Sequence, residues 1–170
     1  MRAALCALLL AALGGCGWQT GLIAPDGVES IGIEYFSNTT PEPDIEVAFA
    51  AVLGESLVTL VDVPLLPPDG AGLVIRGRID EFRRRSGVRN EDNQLLESGV
   101  RIGVQAELVD RATGITLRTS DARLWGGFAV DRTENELDAR MRVLRNLADE
   151  VILDLFAPPT YKESATGVPE

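Results

Sequence analysis

The chain has 170 residues, with 26 Asp and Glu against 16 Lys and Arg, a net charge of −10 and no His. The acidic balance excludes a general nucleic-acid binder, because phosphate contacts need a basic surface. Without His there is no Ser/His/Asp or Cys/His nucleophilic site, no His-containing zinc site, and no use of the commonest general base.

The chain starts with one positive charge, Arg2, and an apolar run from Ala3 to Leu13 made only of Ala, Leu and Cys6. About 11 residues suit the h-region of a signal peptide. A helix of that length, at about 1.5 Å per residue, cannot cross a bilayer core of roughly 30 Å. Leu13-Gly14-Gly15-Cys16 ends the run as a lipoprotein cleavage box: small residues let a peptidase reach the backbone, and Cys16 supplies the thiol for acylation. The alternative is an ordinary secretory signal in which Cys16 is incidental. Two or three acyl chains anchor a protein firmly, since each buried CH₂ adds about 0.8 kcal/mol. Cleavage leaves 155 residues carrying −11, a length that suits a single domain with its own core. Cys6 leaves with the signal and Cys16 carries lipid, so no disulfide forms within the mature chain. The expected organisation is a signal peptide over 1–15, a lipidated tether over 16–26, one domain over 27–157 and a disordered tail over 158–170.

In the tether Trp18 suits either the headgroup layer or packing under the domain. Val28 to Phe36 reads as the first strand, with Ile31, Ile33 and Tyr35 on its inner face. The Asn/Thr/Pro-rich stretch to Asp44 breaks it and offers Thr40 or Asp44 as a helix cap. The first helix has one apolar stripe of Ile45, Phe49, Val52, Leu53, Leu57 and Leu60, with Glu46 and Glu55 facing away. At about 1.5 to 3 kcal/mol per side chain, its burial contributes on the order of 10 kcal/mol gross.

After a Pro/Gly loop, Leu73, Ile75, Gly77 and Ile79 alternate with Val74, Arg76, Arg78 and Asp80 as the second strand. Arg83, Arg84, Arg85 and Arg89 then lie in a polar tract that reads as a long hairpin tip. Val100, Ile102, Val104, Ala106 and Leu108 form the third strand opposite Arg101, Gln105 and Glu107. Ile115 to Val130 forms a fourth, with Gly126-Gly127 signalling a bulge or a close backbone approach. Thr133 and Glu136 read as a capping box for a second helix, whose stripe is Leu137, Met141, Leu144, Ala148, Val151, Ile152 and Leu155. Pro158-Pro159 ends it.

The order β-α-β-β-β-α predicts an α/β two-layer sandwich, a four-stranded sheet with both helices on one face. The other face is polar. The acid pairs Asp80-Glu81, Glu91-Asp92 and Asp149-Glu150 are adjacent rather than spaced, so no catalytic residue and no metal ligand is assigned. The only attached group expected is the covalent lipid on Cys16.

Several stretches resemble the LPS-assembly lipoprotein (LptE) family: Cys16-Gly17-Trp18 at the lipobox, Ser30 to Thr40 ending Phe-Ser-Asn-Thr-Thr, Pro43-Asp44-Ile45-Glu46, Gly77-Arg78-Ile79, and Leu108 to Gly114. The resemblance runs from Cys16 to about Phe156; Glu34 stands where many members have Pro. It implies a non-enzymatic outer-membrane lipoprotein that faces the periplasm, plugs an LptD-type β-barrel and assists delivery of lipopolysaccharide. Gly17 in place of the Asp that commonly holds enteric lipoproteins at the inner membrane agrees with that location. Beside this reading, Arg83, Arg84, Arg85 and Arg89 are candidates for meeting lipid A phosphates; a solvated tip or a contact to acidic barrel residues is the alternative. A cell-wall synthase activator, or a curli-type secretion-pore subunit, would share the lipobox and the strand-to-helix connection.

Overall fold

The computed structural model describes residues 22, 28–87, 91, 97–129 and 135–157. Leu13, Gly14, Gly15, Cys16, Trp18, Arg89, Thr133 and the tail from 158 lie outside the described residues. The elements are β1 (Ile31–Ile33), β2 (Ser37–Asn38), α1 (Ile45–Leu60), β3 (Leu73–Ser86), β4 (Glu97–Asp110), β5 (Thr116–Ala129) and α2 (Glu136–Phe156). One sheet runs β1-β3-β4-β5, with β2 also on β3. β1 and β2 pair parallel to β3 through the α1 crossover, while β3, β4 and β5 form an antiparallel meander. Both helices pack on one face, as the alternation of the long strands requires.

The first strand differs from its expected form. It is split, so the sheet has five strand segments, and Phe36 rather than Tyr35 turns inward: Phe36 is buried and Tyr35 is 76% exposed. The ring of Phe36 packs edge-on to Phe49 with centroids 5.2 Å apart. It occupies the space over Gly77, where a Cβ would stand 2.6 Å from Phe36 Cε1. A bulky aromatic therefore sets the phase here, over the alternation begun by Ile31 and Ile33.

The α1 stripe is buried at Ile45, Phe49, Val52, Leu53 and Leu57, and Leu60 packs against the same core. Asp44 is the N-cap residue but sits at φ 59 and makes no side-chain cap bond. The box on α2 is Asn135 with Asp138, two residues after the expected Thr133–Glu136 pair. In its first turns Ala139, Val143 and Leu147 face the core and Leu137 is 54% exposed.

β3 carries two more departures. Its register to β4 slips between Ile79 and Glu81, so Asp80 is the extra residue of a bulge, and the slip inverts the alternation. Ile79 and Phe82 are both buried as a result. The strand then continues to Ser86, which places Arg83–Arg85 in the sheet rather than on a hairpin tip. At the other end Val74, expected among the polar outer residues, forms a small buried cluster with Ala71 and Val109. The short turn Pro68–Gly70 closes on that end, where Arg111 bonds the Pro68 carbonyl.

Candidate functional site

The outer face of β3-β4-β5 bears the side chains that the helices do not cover. Cross-strand register sets Arg76 beside Glu107, Arg78 beside Gln105 and Arg83 beside Arg101, with Arg101 in turn beside Trp125. The charges interlock. Arg76 meets Glu107 at 3.1 Å, Arg78 donates to Gln105 Oε1 at 2.8 Å, and Gln105 donates to Asp80 Oδ2 at 2.8 Å.

The bulge is the centre of this network, because it turns two consecutive carboxylates, Asp80 and Glu81, onto one face. Arg123 reaches both, at 3.1 Å and 3.6 Å. Glu81 also holds Arg83 at 3.2 Å and Arg101 at 3.4 Å. Asp80 Oδ1 is buried without a hydrogen-bond partner, a local cost beside the ion pair that its Oδ2 makes with Arg123.

The arginine run is divided by the strand. Arg83 and Arg85 point to the outer face. Arg84 points to the helix side, where its Nε donates to Glu136 at 2.7 Å and its Nη2 to Glu42 at 2.8 Å. It also lies 5.0 Å over the Phe82 ring, and Arg140 shares Glu42. Bonds to Glu136 and then Glu42 raise the pKa of Arg84 above its ordinary value. Arg84 therefore closes the end of the core, while Arg83, Arg85 and Arg101 form a basic patch on the opposite face.

Trp125 borders that patch and was not singled out by the sequence. Its indole lies between Gly99 and Gly127, where added Cβ atoms would fall 2.7 and 2.5 Å from the ring. It remains 49% exposed. Glycines two positions from the Trp on its own strand, Gly127, and diagonally across on β4, Gly99, leave the room that the indole fills and are the signal that could have found it.

On the N-terminal side of the domain Leu22 is fixed through its N–H, which donates to the Leu60 carbonyl at 2.7 Å, beside the isolated bridge to Val61. β1 starts at the same end, paired with Leu73. From Leu73 to Arg83 the strand covers about 35 Å at roughly 3.3 Å per residue, so the basic patch sits at the far end of the sheet.

Comparison with protein-family models gives no match, and comparison with curated proteins gives none. Solved structures do match. The PelC dodecamer of Paraburkholderia phytofirmans superposes with a TM-score of 0.52 and 21% identity, covering 77% of this chain and 90% of that one. Lipoprotein B of Nitrosomonas europaea gives a TM-score of 0.52 and 14% identity, covering 82% and 91%. The fold is one that a bacterial lipoprotein also carries. At these identities the likeness concerns the fold alone.

Among the described residues there is no group of three or more His, Cys, Asp or Glu that could hold a metal, and no helix is long and apolar enough to cross a membrane. The outer face offers ion pairs, one exposed indole and a basic end. Such a surface suits recognition of a polar partner.

Proposed function

We propose that the chain is an acylated envelope lipoprotein that binds and plugs an LptD-type outer-membrane β-barrel and assists lipopolysaccharide assembly, without catalysing a reaction. The observation that carries this reading is the outer sheet face, a polar surface of interlocked ion pairs with one basic end, on three 14-residue strands. Each extends about 45 Å, longer than the apolar band of an outer-membrane barrel, about 25 Å tall, whose interior is polar. A domain of this size and polarity fills such a lumen and keeps its ion pairs. The LptE-like motifs and the lipobox at Cys16 point the same way.

The position of the basic patch supports a contact with the cargo. With the lipid on Cys16 in the inner leaflet and the domain upright, about 35 Å separates the anchor end from Arg83, comparable with a hydrocarbon core of about 30 Å. Arg83, Arg85 and Arg101 then stand near the outer-leaflet level, where lipid A phosphates accept bidentate guanidinium contacts. The test is purification of full-length lipidated protein from detergent-solubilised outer membranes. The expected companion is a heat-modifiable barrel of LptD size in near-equal amount. A cell-wall synthase in its place, or no companion, overturns the reading.

A ring-forming subunit is the second reading. It is favoured by β5, which ends the sheet with one side unpaired by any described strand, and by the likeness to a dodecamer. A native mass many times that of one chain, with no barrel present, would decide for it.

A further inference from the structure

α1 is apolar on two sides. Its buried stripe accounts for Ile45, Phe49, Val52, Leu53 and Leu57. Val47, Ala50, Ala51, Gly54 and Val58 recur at helical spacing on the opposite side, with Val47 58% and Val58 63% exposed. Ala50, Ala51 and Gly54 line a groove with Ile33, Tyr35, Leu65 and Leu66. Gly54 forms part of its floor, since a Cβ there would reach only ordinary contact with Leu65 Cδ2 at 3.7 Å and Ile33 Cδ1 at 3.8 Å. Tyr35 stands at one end, held by its hydroxyl donating to Glu46 at 3.1 Å.

The chain segment that builds this groove carries charge of one sign, and the nearest cations, Arg76, Arg78 and Arg111, stand beyond its rim at Glu34, Tyr35 and Pro68. Residues 17–75 contain nine Asp or Glu and no Lys or Arg. Glu34 lines the groove itself, Glu46 holds Tyr35 at its end, and Glu55 follows the floor glycine on the exposed side of the helix. A contiguous exposed apolar surface is unusual on a monomer and marks a contact site, and its acidic border selects what can cover it. An anionic bilayer surface would be repelled. A second copy would bring the same carboxylates against these. The chain's own tether, 16–26, offers Asp26 and no cation.

We infer that the outer face of α1 docks a protein segment whose apolar centre is flanked by Lys or Arg. Small residues at 50, 51 and 54 let its backbone approach closely, Val47 and Val58 bracket its apolar centre, and the flanking cations meet Glu34, Glu46 and Glu55. The surface lies along α1 and meets the sheet face considered above only at Glu34 and Tyr35, so the inference does not rest on the barrel reading.

The experiment places a photo-reactive phenylalanine at Val47, Ala51 or Val58 of the full-length lipidated protein in intact outer membranes, and maps each crosslinked residue on its partner. The expected result is convergence of all three positions on one polypeptide segment, apolar at its centre with Lys or Arg within about one helical turn on either side. Ala51→Glu, at an exposed position and expected to leave thermal melting unchanged, should lower the crosslink yield at Val58 about tenfold, because it sets a carboxylate against the apolar centre. Crosslinks to phospholipid, to a second copy or to the chain itself overturn the inference. So do a segment without flanking cations, no crosslink, or a yield indifferent to Ala51→Glu. If the mapped segment belongs to a protein other than a β-barrel, the inference stands and the barrel reading fails.

Discussion

Gly126 of β5 lies directly beneath Val143 of α2: a Cβ on the glycine would stand 2.3 Å from Val143 Cγ2. This contact sets how closely α2 approaches the edge strand, and it explains one glycine of the Gly126-Gly127 pair as a packing requirement. Gly126→Ala is expected to destabilise the domain by about 1 to 3 kcal/mol through overpacking. Val143→Ala alone should also destabilise, by leaving a gap. Combined, the two should cost clearly less than their sum, because the removed methyls vacate the space that the new one needs. Urea denaturation of the four proteins checks this, and simple additivity would show that the close approach is not the cause.

Arg84 and its neighbours separate stability from recognition. Arg84 is about half exposed, so its ion pairs with Glu42 and Glu136 are weakened by solvent, and Arg84→Ser is expected to cost about 1 kcal/mol. Arg83→Ser and Arg85→Ser should leave stability within about 0.5 kcal/mol of the parent. In binding to lipopolysaccharide vesicles the order should reverse, with the Arg83→Ser/Arg85→Ser protein weakened and Arg84→Ser unchanged. Equal binding by all three proteins would remove the anion-binding role from the outer patch.

The division among these arginines shows where the sequence was legible. The two-layer fold, the α1 stripe and the one-sided alternation of β4 follow from periodicity, because Val100, Ile102, Val104, Ala106 and Leu108 have nowhere to go but the core. What periodicity cannot supply is a change of phase. The bulge at Asp80 reverses the strand's parity in mid-course, so a sequence that reads as a polar tip becomes a strand with Phe82 and Arg84 on one face and Arg83 and Arg85 on the other. Phe36 shifts the phase of the first strand likewise, by filling the space above Gly77. The start of α2 was misread for a chemical reason: Thr133 and Glu136 have the spacing of a capping box, and so do Asn135 and Asp138, whose carboxylate accepts from the Asn135 N–H. The anchor residues Leu13, Gly14, Gly15 and Cys16 remain an argument from sequence.

Gly54 occupies the middle of α1, where glycine is disfavoured by about 1 kcal/mol relative to Ala. The nearest atoms that a Cβ would meet are at ordinary van der Waals distance, so nothing inside the domain requires glycine there. Gly54→Ala is expected to raise stability by up to about 1 kcal/mol, seen as a higher urea midpoint with unchanged slope. The same methyl raises the floor of the α1 groove, so a protein that gains stability and loses its crosslink at Val58 would show what the glycine is kept for. A loss of stability would mean that Leu65 and Ile33 cannot accommodate the methyl.

Two carboxylates tie loops to the domain and set its response to acid. Asp110 is held below its ordinary value of 3.8, first by the Thr113 N–H and then by the Thr113 hydroxyl, in the turn that precedes Gly114 at φ 71. Glu46 is held below its ordinary value of 4.5, first by its own backbone N–H, with Asn38 and Tyr35 donating as well. A depressed folded-state pKa adds stability above the unfolded value, and that stability is lost as pH falls through the folded one. The urea midpoint should therefore be flat from pH 7 to about pH 5 and fall below about pH 4.5. Asp110→Asn and Glu46→Gln should each shallow the fall. Tyr35 works in the opposite sense: its pKa is raised above 10.0, first by the hydrogen bond to Glu46, so its contribution is complete below pH 10 and disappears as the phenol ionises. Glu46→Gln should lower the Tyr35 titration midpoint, read by absorbance of the phenolate. If the midpoint does not move, Tyr35 is not held against α1 by Glu46, and the end of the apolar groove is open.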